Sequence, residues 1–169
     1  MTQSDDVVQE GVLLSVRPRF ARALLSGSKR VELRRRAVRL KPGQLIAVYE
    51  ASPTSALAGF LIVAATYEAT PAAVWTRCNS GMSLSRTEYD KYLRGSERAF
   101  AIEVKHAIRL EIPVSLLRLR RQCLGFRPPQ SFRYLGTLPV ALGRLFREAL
   151  VNQVSAVSRR NGMLLRGEA

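Results

Sequence analysis

The chain has 169 residues, 47% of them hydrophobic and 24% charged, with a formal net charge of +14, so it can form one domain with a sizeable core. No apolar run approaches the ~18–20 residues that span a bilayer, and the acidic, polar start MTQSDDVVQE lacks the basic-then-apolar layout of a secretory signal, so we expect a cytoplasmic protein without a membrane partner. Cys78 and Cys123 stand far apart with no CxxC pair or nearby histidine, so neither a zinc site nor a disulfide is expected, and nothing in the sequence calls for a cofactor.

In chain order, Pro18 suits a first helical turn, Phe20, Leu24 and Leu25 recur at helical spacing, and Gly27 supplies a stop. Residues 29–36 then alternate, with Val31 and Leu33 on one face and Arg30, Glu32, Arg34 and Arg36 on the other, as in a strand with one wet face. Lys29 stands at the corner between helix and strand. Pro42-Gly43 signals a turn into a strand over 44–50, and Ser52-Pro53 marks a break before the β-rich run 56–66. Thr70 can cap a helix opened by Pro71, and Ser85 with Glu88 forms the capping-box pattern of a second helix that Gly95 ends. A strand is expected over 99–110, with Pro113 closing the sheet. An amphipathic helix is expected over 139–151, with Leu142, Leu145, Phe146, Ala149 and Leu150 inward. The first and last ten or so residues should be loose.

The run SVRPRFARALLSGSKRVELR is similar to the opening block of the ASCH domains of the PUA-like superfamily. VYEASPTSALAGFLIV is similar to their second strand pair, AFAIEVKHAIRLEIPVSL to their closing strands, and PPQSFRYL to the tail of one ASCH subgroup. The resemblance covers roughly residues 12–136 and implies an α+β fold, a small PUA-like β-barrel with flanking helices, to which the helix beyond residue 136 is extra. On that reading residues 1–11 are a flexible tail, 12–136 the ASCH domain and 137–169 a C-terminal helical extension. The resemblance also implies RNA binding, without by itself implying an enzyme.

Charge speaks to partners. Residues 1–16 carry a net −3, residues 17–41 carry +9, residues 42–117 balance, and residues 118–169 carry +8. Two basic blocks separated by a neutral middle suit a surface that follows a phosphate backbone, because each neutralised phosphate releases counterions. Arginine outnumbers lysine 23 to 4, and arginine binds phosphate bidentately and stacks on bases. RNA is the expected partner, with DNA as a second polymer of the same charge.

In a PUA-like barrel Lys29, Glu32 and Arg34 would project into a cleft beside Tyr49, Ser52 and the loop 79–85 with its Ser83. There Glu32 could accept from base amino groups, Arg30, Arg34 and Arg36 could hold phosphate, and Tyr49 could offer a stacking face. Trp75 reads as core beside Val74. A salt bridge between Lys29 and Glu32 would account for the same pair without function. The segment 127–135, RPPQSFRYL, offers Gln130, Ser131, Arg133 and Tyr134 as further contacts, with Phe132 and Tyr134 docking it on the barrel and Arg133 pointing outward.

Two hydrolytic alternatives follow from the resemblance. Some ASCH proteins are ribonucleases. Some small bacterial ones deacetylate N4-acetylcytidine with a lysine, a threonine and a glutamate. Here the lysine falls on Lys29, the threonine position holds Glu32, and residues 80–82 carry no carboxylate, so that amidohydrolase lacks its hydroxyl and its acid. Lys29 and Glu32 remain candidates for acid–base work. His106 has no glycine-flanked serine nearby, which speaks against Ser–His–Asp chemistry. A third reading is a regulatory module that meets a protein partner through the C-terminal helix.

Overall fold

The computed structural model describes residues 10–164, with side chains to residue 159. The loose ends expected from the sequence fall, for residues 1–9 and 165–169, outside the described residues.

Six strands form one sheet: β1 (Val12–Val16), β2 (Val31–Arg34), β3 (Leu45–Glu50), β4 (Ala56–Ala69), β5 (Ala99–Ser115) and β6 (Phe132–Tyr134). Their order is β2-β5-β4-β3-β1-β6. β1 and β3 run parallel and every other pair is antiparallel. Among the described residues five α-helices flank the sheet: α1 (Pro18–Ser26), α2 (Pro71–Met82), α3 (Arg86–Tyr92), α4 (Leu116–Gln122) and α5 (Val140–Leu164). The arrangement is the α+β fold with flanking helices that the sequence leads one to expect, its small barrel formed as a half-barrel.

Local signals set several boundaries. Pro18 opens α1, and Gly27, at φ 80°, closes it with its N–H donating to the Leu24 carbonyl. The left-handed conformation there favours glycine because it has no Cβ to clash. Thr70 accepts from the Ala73 N–H at the start of α2, and Ser85 and Glu88 complete a capping box on α3, each cap pairing backbone donors that a helix start leaves open.

Three cores result. The inner core lies under α1 and takes Leu14, Ile46, Leu61 and Ile102 from the sheet, Leu24 and Leu25 from the helix, and Val38 and Leu40 from the strap between β2 and β3. The outer core, on the other face, joins Leu13, Tyr49, Phe60 and Leu110 to Leu119 of α4 and to Leu142, Leu145 and Phe146 of α5. The third packs α2 and α3 on Val31, Leu33, Ala99 and Ala101. The segment after residue 137 thus shares the outer core.

Two expectations are corrected. β5 runs through Pro113 to Ser115. Its pairing with β4 is irregular between Leu57/Gly59 and Val114/Arg109, and β2 pairs only with Phe100–Glu103, so the missing proline N–H falls where the ladder needs none. α5 continues past residue 151 to Leu164, carrying an exposed stripe of Val151, Val154 and Val157.

Candidate functional site

β2 and β6 are the two edges of the sheet, and side chains join them. The Arg34 guanidinium, from β2, donates to the Ser15 carbonyl of β1 at 3.4 Å and to the Ser131 hydroxyl, one residue before β6, at 2.6 Å. The Ser15 N–H donates to the Ser131 carbonyl at 3.0 Å. An arginine therefore closes the barrel along a seam where no backbone ladder forms, its several donors in a fixed fork reaching both sides at once.

Glu32 sits inside this seam between two cations. Its carboxylate lies 3.4 Å from Arg34 and 3.5 Å from Lys29. Lys29 is 1% exposed and donates to the Met82 carbonyl at 2.7 Å, with its ammonium 5.3 Å from the Phe20 ring centroid. Burial pulls the Lys29 pKa below its ordinary value, with Glu32 opposing the shift and Arg19 adding to it. The expected wet face of β2 is a buried one: Glu32 is 6% and Arg34 9% exposed. Alternation placed these side chains opposite Val31 and Leu33 correctly, but that side faces the closed barrel instead of solvent.

The other sequence candidates scatter. Tyr49, 3% exposed, belongs to the outer core, where burial pushes its phenol pKa up, and so offers no open face for a base. Glu50, its neighbour, points to the α1 side and accepts from Arg22 at 3.0 Å and from Thr54 at 2.6 Å, an acid that the sequence reading did not single out. Ser52 is exposed in the turn after β3, and Ser83, exposed at the end of α2, donates to the Ser28 carbonyl at 3.2 Å, close in sequence to the Met82 that binds Lys29. Arg133 is exposed and donates to the Thr137 carbonyl at 2.8 Å, while Phe132 meets Tyr134 edge-on at 5.6 Å. Trp75 meets Tyr89 in a tilted contact, ring centroids 4.8 Å apart. Ser131, named only as part of the 127–135 segment, emerges as a member of the seam.

Lys29 and Arg34 of the seam belong to the first basic block, residues 17–41. Of its ten cations, Arg19, Arg22, Lys29 and Arg34 hold carboxylates. The other six, Arg17, Arg30, Arg35, Arg36, Arg39 and Lys41, are exposed, and none forms a salt bridge among the described residues. Among the described residues no cluster of His, Cys, Asp and Glu could hold a metal ion, and no helix is long and apolar enough to cross a membrane.

Comparison with known proteins finds no matching family model. An ASCH domain-containing ribonuclease of Zymomonas mobilis is 31% identical over 123 residues, which span 73% of this chain and 82% of that protein. The crystal structure of an ASCH protein from Zymomonas mobilis superposes with a TM-score of 0.74 at 28% identity, covering 82% of this chain and 94% of the other. A tyrosine-to-phenylalanine variant of the Zymomonas protein gives the same TM-score at 27% identity, over 81% and 96% of the two chains.

Proposed function

Because the chain belongs to the ASCH domain family, we propose that it binds RNA through the exposed cations of residues 17–41. The observation that carries this reading is the set of six exposed cations with no salt bridge among the described residues. Like charges held together without counter-charges repel one another, and a polyanion relieves that repulsion while releasing its own condensed counterions. The Zymomonas ribonuclease favours RNA over DNA as the polyanion.

The buried triad holds the platform together. Lys29 ties the helix–strand corner to the end of α2 through Met82, Arg34 ties β2 to β1 and to the segment before β6, and Glu32 compensates both charges. The cations on either side are thereby kept on a rigid frame, which lowers the ordering cost of binding. The test is binding of an unstructured single-stranded RNA by the purified protein, measured beside Arg30→Ala and Arg36→Ala. Each exposed cation that contacts a phosphate should flatten the salt dependence by about 0.7 of a log–log slope unit. Unchanged affinity and slope in both variants would remove the block from the interface.

A second reading, RNA hydrolysis, is favoured by the identity to the Zymomonas ribonuclease. Cleavage of a phosphodiester needs a positioned base, an acid and a cation on the phosphoryl oxygens. Lys29, whose pKa burial lowers from its ordinary value, is the candidate proton carrier, but it is covered. This reading therefore requires the seam to open. Incubation of labelled single-stranded RNA with wild type and Lys29→Met distinguishes binding from turnover. The amidohydrolase variant is disfavoured by the same geometry: Lys29 meets the Met82 carbonyl where those enzymes use a carboxylate, and we expect no release of acetate from N4-acetylcytidine.

A further inference from the structure

The strap between β2 and β3 runs over residues 37–41 without secondary structure of its own. Val38 and Leu40 plug into the inner core, and this alternation turns Arg39 and Lys41 out to solvent. With the ends of β4 and β5 the strap borders a cleft of about 540 Å³, inside the ~300–1,000 Å³ range of small-ligand sites. Arg39, Lys41, Gln44, Thr66, Glu68 and Phe100 are among its lining residues.

Three features of the cleft are unspent by the fold. Arg39 and Lys41 form no salt bridge among the described residues, while the carboxylate in the lining, Glu68, is held by Arg98 at 3.1 Å. Phe100 is half-buried yet belongs to none of the three cores, and no other ring or cation covers it among the described residues. The backbone N–H groups of Ala37, Val38, Arg39 and Leu40 make no hydrogen bond among the described residues. An open aromatic face, backbone donors and two cations are the groups by which proteins hold an unstacked base and its phosphates. Phe100 also stands opposite Arg34 in the β2–β5 register, so the cleft adjoins the seam.

We propose that this cleft is a separate subsite for one unstacked nucleotide of a single-stranded RNA, the base lying on Phe100 and its phosphates on Arg39 and Lys41. The inference rests on the RNA reading above and adds to it a place and a strand preference.

The test uses the full chain and an unstructured RNA carrying 2-aminopurine, with affinity read by anisotropy and stacking by fluorescence. Wild type should quench the probe. Phe100→Leu should restore its emission and weaken binding by about 5- to 150-fold, the span expected for loss of one stacked base. The double substitution Arg39→Gln, Lys41→Gln touches only exposed side chains and keeps the test valid should Phe100→Leu fail to fold; it should reduce the salt slope by about 1.4. Near wild-type affinity, slope and quenching in these variants would overturn the subsite while leaving RNA binding intact. No binding of RNA by wild type at low salt would instead overturn the underlying reading. Binding of a labelled extended peptide in the cleft that RNA does not displace would reassign it to strand pairing and also overturn the proposal.

Discussion

Glu32 is the residue on which the seam depends, because it is the counter-charge of two buried cations. Replacing it by glutamine keeps the shape and removes the charge, leaving Lys29 and Arg34 uncompensated in a site that excludes water. Breaking a buried ion pair costs ~3–5 kcal/mol, which for a domain of this size lowers the melting midpoint by roughly 6–20 °C. A thermal melt of Glu32→Gln checks this, and a shift of only a degree or two would return Glu32 to the surface. Lys29 carries a pH signature as well. Its folded pKa lies below the unfolded value of 10.5 because burial disfavours the charged form. Between those two values the unfolded chain binds the extra proton, so the contribution of this residue to stability rises as pH rises through the window. Wild type should gain stability on Lys29→Met in urea titrations taken from neutral pH toward 10.5; a constant difference would contradict the assignment. The charged triad was legible in the sequence as residues, but its burial was not. Alternation distinguishes two faces of a strand and says nothing about which meets water, and here that is decided by Ser15 and Ser131, the latter nearly a hundred residues from Arg34.

Elements with local signals are those the sequence specifies well. Pro18 and Gly27 bound α1, Thr70 and Pro71 open α2, and Ser85 with Glu88 opens α3, because each cap is a contact between residues a few positions apart. β1 and α4 carry no such plain local signal. β1 is a short strand covered on both faces and gives an apolar run without alternation, and α4 is a two-turn helix whose cap, Ser115, is also the last residue of β5. Glu88 has a second task. Its carboxylate accepts from Arg19 of α1 at 2.6 Å, and that bond, with the Ser85 N–H and hydroxyl, holds its pKa down to about 2. A depressed carboxylate contributes stability above its unfolded value of 4.5 that is lost as pH falls toward about 2. Acid unfolding of Glu88→Gln should therefore be less steep in that interval than that of wild type. Gly59 tests the packing of β4: a Cβ there would come within 2.4 Å of the Ile108 carbonyl oxygen and 2.6 Å of a Leu25 methyl. Gly59→Ala should cost ~1–3 kcal/mol through overpacking, read as a lower urea midpoint.

At the scale of the molecule, the seam of the half-barrel takes Lys29, Glu32 and Arg34 from within one basic block of the sequence. The fold class could be read because the ASCH-like blocks spanned most of the chain, whereas the binding surface could be read only as charge, since no local pattern says which cations find carboxylates. The structure sorts them, leaving Arg17, Arg30, Arg35, Arg36, Arg39 and Lys41 exposed without a salt bridge among the described residues. The central claim is that these cations serve a phosphate polymer. Its most direct test is the affinity of wild-type protein for unstructured single-stranded RNA across a salt series. Six phosphate contacts predict a log–log slope of about −4, at ~0.7 per phosphate on a single strand. An affinity that does not change with salt, or no binding at low ionic strength, would contradict the account.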